Sequence, residues 1–447
     1  MVLAVPTSPE KYCILGAGSS GLAAAKNLLA WGLPCECLER EDDVGGNWYY
    51  GKPASSVYAS THLISSKRLT EYTDFPMPRG LPPYPHHRQV WDYLRAYAQH
   101  FGLYEHVRFN TSVKCIEPCG DHWQVTLADG ATRAYRGVII ANGHNWDPNW
   151  PSVPGTFAGL VLHSSQYKTP EVLQGKRVLV VGGGNSGCDI AVEAAQHAAA
   201  TFHSLRRGYH YVPKFLLGKP ADQCNERLLR WGLPLRVRRA ITQLALRVAV
   251  GRPESYGLPR PDHALFETHP TINSQLLYYI GHGRIGIKPD IAELCGETVR
   301  FTDGAVEPID VIVYATGYKI SFPFLDRALL NWRDDRPALF LNMLHPARDD
   351  LAVVGLIQPD SGQFGLVDYQ SQLLARFLWS LDRAPASAER LRRLKAAADD
   401  DLGAGIHYVR SPRHRLEVEH FSYRRRLQKL IAEFDATVDA PTPLSAP

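Results

Sequence analysis

The sequence predicts an α/β protein built from two doubly wound parallel sheets, the second inserted in the first. Three observations carry that prediction: a strand, glycine turn and helix near the start, the same unit again about one domain length later, and an apolar strand candidate far downstream that returns to the first unit. The 447 residues suit this plan, because one simple core holds about 100 to 200 residues.

The first unit runs Tyr12-Cys13-Ile14-Leu15 into Gly16-Ala17-Gly18-Ser19-Ser20-Gly21, then Leu22 to Leu29, an unbroken run of good helix formers. Gly16 permits the tight turn, Gly18 lets the backbone approach a pyrophosphate, and Gly21 lets helix and strand pack closely. The helix N-terminus then faces the anion. The next strand candidate, Cys35 to Glu39, ends on an acid about 20 residues after the turn, where it can accept hydrogen bonds from ribose hydroxyls. This is the pattern of a Rossmann-like dinucleotide-binding domain. Its continuation from Arg40 to Gly45-Gly46-Asn47-Trp48 suits a chain running beside an extended FAD. The residues assigned to this site are Gly16, Gly18, Ser19, Ser20, Gly21, Glu39, Arg40, Gly46, Asn47, Trp48 and Val113.

The second unit repeats the plan: Val178 to Val181, then Gly182-Gly183-Gly184-Asn185-Ser186-Gly187, then a helix from Cys188. Its acid position differs. The following strand, Ala200 to Ser204, leads into Leu205-Arg206-Arg207, with no carboxylate to repel a 2′-phosphate and two guanidinium groups able to pair with it. NADPH is therefore the expected second cofactor; a solvated basic face is the alternative reading of the two arginines. Gly182, Gly184, Asn185, Ser186, Gly187, Ser204, Arg206 and Arg207 are assigned to this site, with Thr316 and Gly317 at the domain junction.

Between the units, Trp123 to Leu127 and Tyr135 to Ala141 read as strands around the turn Ala128-Asp129-Gly130. Val311 to Ala315 and Leu351 to Gly355 are later strand candidates. The expected organisation is an FAD-binding domain over 1–169 and 315–447, interrupted by an NADPH-binding domain over 170–314. Within the insert, 209–271 carries prolines at 213, 220, 234, 253, 259 and 261 and reads as a helical cap over the active site. Leu228 to Val250 has helical spacing and reads as a helix covering a core, with a membrane or partner face as the alternative.

Composition narrows the function classes. Hydrophobic residues at 45% and charged residues at 21% are those of an ordinary globular protein. A net charge of +4, with basic residues mostly scattered, argues against nucleic acid as a partner. The eight cysteines lack zinc-ligand spacing and read as reduced thiols, so no metal is expected. There is no leader-like start and no apolar stretch of about 18 residues, so a cytoplasmic protein without a membrane span is expected. Self-association as a homodimer is left open.

Two further segments make the pattern specific. Phe157-Ala158-Gly159-Leu160-Val161-Leu162-His163-Ser164-Ser165-Gln166-Tyr167 matches F-x-G-x-x-x-H-x-x-x-Y, the fingerprint of flavin-containing monooxygenases, and Tyr314-Ala315-Thr316-Gly317-Tyr318 resembles their A-T-G-Y segment. With both glycine turns and Gly45-Gly46-Asn47-Trp48, the chain resembles this family over nearly its whole length. The residue reading of His163 is a linker histidine that orders the domain junction. What the resemblance implies is hydride transfer from NADPH to FAD and reaction of reduced flavin with O₂ to a C4a-hydroperoxyflavin. Oxygen then passes to the nitrogen or sulfur of a small-molecule substrate.

One departure stands out. Tyr58-Ala59-Ser60-Thr61-His62-Leu63-Ile64-Ser65-Ser66-Lys67 lines up with the family stretch Y-x-S-x-x-x-N-x-x-K, but Ile64 occupies the asparagine position. Isoleucine cannot hydrogen-bond, so the role passes to backbone groups, to Ser65 or His62, or is lost. Ile64, Ser65 and His62 are the residues expected near the chemistry. Two alternatives remain: Baeyer-Villiger oxygenation of a ketone, disfavoured because the fingerprint ends in Tyr167-Lys168, and an NADPH oxidase releasing hydrogen peroxide. A disulfide reductase is disfavoured by the absence of C-x-x-C.

Overall fold

A computed structural model describes residues 9–397 and 401–438. Two five-stranded parallel sheets dominate it. The first has the order Leu351–Val353, Gly137–Ile140, Tyr12–Leu15, Cys35–Leu38, Val107–Arg108, with Tyr12 opposite Cys35 and Leu15 opposite Leu38. The second has the order Leu160–His163, Val311–Tyr314, Arg177–Val181, Ala200–Ser204, Gly286–Lys288. The central strands read as continuous apolar runs because helices and loops cover both faces. The late strand Leu351–Val353 returns to the first sheet, and Leu160–His163, which precedes Pro170, joins the second.

The first helix, Ser19–Ala30, packs on Phe364–Arg383 from the C-terminal part of the chain. Leu22 and Leu28 are fully buried there, each contributing about 1.5 to 3 kcal/mol by leaving water. Trp31 meets Trp379 edge to face at 5.3 Å, and Asn27 donates to Asp368 at 2.8 Å, so sequence-distant segments share one core. A three-stranded antiparallel meander, Val113–Cys119, His122–Leu127 and Thr132–Tyr135, sits beside the first sheet and buries Trp123.

Two local expectations are corrected. Tyr135 to Ala141 is not one strand: the chain leaves the meander at Tyr135 and enters the first sheet at Gly137, where a side chain would lie 2.8 Å from the Asp350 carbonyl. The cap helix from Leu228 is likewise broken. One helix, Ala221–Arg230, ends before Gly232, and a second, Leu235–Val250, starts after Pro234, whose fixed φ suits the residue preceding a helix. This second helix buries Arg238 and Leu246 and leaves Val237, Ile241, Leu244 and Val248 exposed, so it does not cover a core along that face.

Candidate functional site

The first glycine turn is shaped by backbone contact. Gly16 has φ +97°, a conformation L side chains rarely adopt, and a Cβ on Gly21 would lie 1.8 Å from the Gly16 carbonyl oxygen. Gly46, at φ +53°, packs so closely that its Cβ would stand 2.9 Å from Gly18 Cα. The turn and the Gly45-Gly46 pair therefore form one cradle of backbone. Among the described residues no side chain caps the helix Ser19–Ala30, which leaves its N-terminal N–H groups to an external anion. Ser20 lies under Gly355, where a Cβ would reach 2.1 Å from Ser20 Oγ.

Glu39 is buried beside this turn, accepting from the Ala17 N–H at 2.6 Å and the Glu41 N–H at 2.9 Å. Burial pushes its carboxyl upward, against these hydrogen bonds. Each oxygen keeps capacity for a further donor. Arg40 lies over the Trp146 ring at 5.8 Å. The Asn47 Oδ1 accepts from the Ser56 N–H and hydroxyl at 2.7 and 2.8 Å, and Trp48 meets Phe364 edge to face at 6.4 Å. Val113 opens its strand opposite Leu127.

The second turn repeats the geometry. Gly182 has φ +117°, and a Cβ on Gly187 would lie 1.9 Å from the Gly182 carbonyl oxygen, matching the Gly21 to Gly16 contact. Gly183 is pressed by the Tyr209 ring, 2.2 Å from where a Cβ would be, and the Arg413 guanidinium faces Gly184. Ser186 lies in the first turn of the helix Asn185–His197. Asn185 is engaged by the end of the cap, accepting from the Ile272 N–H at 2.7 Å and donating to the Pro270 carbonyl at 3.0 Å. Ser204 donates to the Pro289 carbonyl at 2.7 Å. Arg206 is exposed with no ion pair among the described residues, whereas Arg207 is held by Asp262, whose carboxyl it lowers to about 2.

At the ends of the second sheet's strands Leu160–His163 and Val311–Tyr314 lies a polar seam. His163 is fully buried; its Nδ1 accepts from the Ser165 N–H at 3.2 Å, so Nε2–H donates to the Gly317 carbonyl at 3.1 Å. Burial lowers its pKa, favouring this neutral tautomer. Thr316 Oγ1 donates to the Asn149 carbonyl at 2.6 Å. Tyr58 and Asn273 both donate to Asp189, at 3.1 and 2.7 Å, joining the first segment, the helix Asn185–His197 and the chain just after the cap. Near Tyr58, His62 is exposed and hydrogen-bonded to the Ser60 carbonyl, Ile64 is half-buried, and Ser65 pairs with the Thr70 hydroxyl at 2.8 Å.

Two like turns followed by unlike acid positions are the mark of a paired-nucleotide oxidoreductase, and the family model described as flavin-binding monooxygenase-like matches residues 9–436. The chain belongs to this family. It is 32% identical over 448 residues to flavin-containing monooxygenase 5 of Rattus norvegicus, covering 94% of this chain and 83% of that one. It is 34% identical over 404 residues to the N-oxide-forming dimethylaniline monooxygenase 2 of Oryctolagus cuniculus, covering 84% and 75%. The fold resembles the S-allyl-L-cysteine S-oxygenase of Allium sativum with a TM-score of 0.65 at 21% identity, covering 94% and 88%.

This flavin-binding monooxygenase is thus an oxidoreductase, and FAD and NADPH are the cofactors of its family. Among the described residues no helix is long and apolar enough to cross a membrane, and no cluster of His, Cys, Asp or Glu could hold a metal ion. The sequence reading missed Tyr209, Arg413 and Asp189. Arg413 stands 229 positions from Gly184, and no spacing rule links them. Tyr209 had one signal: a third consecutive glycine at 183, where the site pattern needs none.

Proposed function

We propose that this monooxygenase oxidises NADPH and inserts one oxygen atom of O₂ into the nitrogen or sulfur of a small nucleophilic substrate. The observation that carries the reading is the contrast between the two turns, buried Glu39 after the first and Arg206-Arg207 after the second. The N-oxide-forming relative supports nitrogen as one acceptor.

The first cradle fits an adenine dinucleotide, since Gly16, Gly18 and Gly46 bring backbone to where a Cβ would stand and the helix N-terminus is uncapped. Glu39 would hold the ribose of FAD, and the helix from Ser19 its pyrophosphate. At the second cradle Gly182, Gly184 and Gly187 would admit the pyrophosphate of NADPH, with Arg413 adding positive charge and Arg206 meeting the 2′-phosphate. Residues 1–169 and 315–447 serve FAD in this reading, except that the strand Leu160–His163 completes the second sheet, and 170–314 serve NADPH, with 209–271 as the cap. When bound, FAD accepts hydride and supplies activated oxygen.

The chain's own contribution is positioning and exclusion of water. His163 ties the end of its strand to the Thr316-Gly317 turn that follows the neighbouring strand Val311–Tyr314, Thr316 ties that turn to Asn149, and neither needs to move a proton. Ile64, Ser65 and His62 form the segment assigned to the reacting edge, where an apolar side chain dries the site but donates nothing. The test is the flavin content of purified protein and its oxidation of NADPH against NADH with methyl phenyl sulfide and with trimethylamine. Bound FAD and oxygenated product support the reading; flavin-free protein that oxidises neither nucleotide overturns it.

A further inference from the structure

We propose that Asp222 is a positioning residue for oxygen transfer, clamping the segment after Ile64 from the cap; this rests on the placement of that segment given above. Asp222 stands in the first turn of the cap helix Ala221–Arg230. An acid there has an ordinary explanation, because a helix N-terminus favours negative charge. One carboxylate oxygen does serve its own helix, accepting from the Gln223 N–H at 2.8 Å. The other does not. Asp222 Oδ2 accepts from the Ser66 N–H at 2.6 Å across 156 residues of sequence, and Ser361 Oγ lies 3.5 Å away.

The neighbouring side chain closes the same grip, since Gln223 Nε2 donates to Ser66 Oγ at 3.2 Å. Ser66 is completely buried and immediately follows Ile64 and Ser65. Its N–H precedes the short helix Lys67–Thr70 and depends on the cap for its acceptor. From the other side, Gly362 presses on this short helix, where a Cβ would lie 2.1 Å from the Leu69 carbonyl oxygen. Beyond Gly362 begins the helix Phe364–Arg383, whose first ring packs against Trp48. One carboxylate thus stands where the cap, the Ile64 segment and the approach to Trp48 converge. The Ile64 side chain offers no hydrogen bond, so its position rests on its neighbours, and among the backbone N–H bonds of Leu63, Ser66 and Lys67 the one from Ser66 to Asp222 is the shortest.

The test compares the unaltered full chain with Asp222→Ala and Asp222→Asn. Backbone amide exchange at Ser66 is followed in cofactor-free protein, and hydrogen peroxide formed per NADPH is measured in FAD-loaded protein with methyl phenyl sulfide. Asp222→Ala is expected to accelerate Ser66 exchange at least tenfold and raise the peroxide yield at least threefold, with flavin reduction by NADPH within twofold of the unaltered rate. Asp222→Asn keeps an acceptor for the Ser66 N–H and is expected to restore most of both. Unchanged exchange, unchanged peroxide yield, or an asparagine variant as impaired as alanine would overturn the proposal. Should Asp222→Ala fail to fold, Gln223→Ala removes the second grip and is expected to shift both readouts in the same direction by a smaller factor. An unaltered chain that makes no oxygenated product contradicts the functional reading instead, and amide exchange then upholds or overturns the clamp.

Discussion

Arg207 donates to both carboxylate oxygens of Asp262, at 2.8 and 2.9 Å, while Arg206 beside it is exposed and without an ion pair among the described residues. The adjacent arginines are therefore not equivalent. Among the described residues Arg206 is a cation without an ion pair after the second turn, and Arg207 is partly spent on tethering the cap. Arg206→Ala is expected to lower kcat/KM for NADPH by about 10- to 100-fold, the worth of a charge-assisted hydrogen bond, with NADH barely affected. Arg207→Ala should cost less discrimination. Steady-state kinetics with both nucleotides separate the two.

The contact between Gly46 and Gly18 makes a second expectation sharp. Gly46→Ala puts a side chain at φ +53° and 2.9 Å from Gly18 Cα, so either the cradle opens or the backbone strains by about 1 to 3 kcal/mol. Flavin occupancy should fall more steeply than stability of the cofactor-free chain. Gly32→Ala, at φ +66° with open space around it, carries backbone strain without touching the cradle and should leave occupancy intact. Flavin absorbance per protein, beside thermal melting of the stripped protein, checks both.

His203 links stability to pH. It is fully buried in the strand Ala200–Ser204, with Nε2 at 2.9 Å from the Gly182 carbonyl and Nδ1 without a partner among the described residues. Burial lowers its pKa to about 4, whereas the unfolded chain takes up the proton near pH 6.5. Its contribution is therefore complete above about pH 6.5 and is lost as pH falls toward 4, amounting to about 2 kcal/mol by pH 5. Urea unfolding at pH 7.5 and 5.0 should show a smaller drop in His203→Gln than in the unaltered chain.

Strands and turns were legible where local chemistry dictates them. Val178 to Val181 is apolar because both sheet faces are covered, and Gly16 to Gly21 is glycine-rich because a Cβ on Gly21 meets the Gly16 carbonyl. Where two elements abut without a turn signal, as at Tyr135 and Gly137, an apolar run conceals the change of sheet. The helix break at Pro234 was masked by apolar spacing that continues through it. Arg413 beside Gly184 and Asp222 on Ser66 were out of reach for another reason: such contacts arise from packing of distant segments, and no periodicity records them.

Ile64 offers a direct comparison with the family pattern. Ile64→Asn restores a donor and an acceptor at the reacting edge and is expected to raise product formed per NADPH severalfold while lowering peroxide. Parallel assay of product, peroxide and NADPH consumption measures it.

The most direct test of the account is the fate of molecular oxygen. Purified, FAD-loaded protein is supplied with NADPH and methyl phenyl sulfide under ¹⁸O₂, and the sulfoxide is analysed by mass spectrometry. A monooxygenase predicts one ¹⁸O atom in the sulfoxide for each product formed. NADPH consumption with all oxygen recovered as labelled hydrogen peroxide, and no labelled sulfoxide in either the unaltered chain or Ile64→Asn, would contradict it.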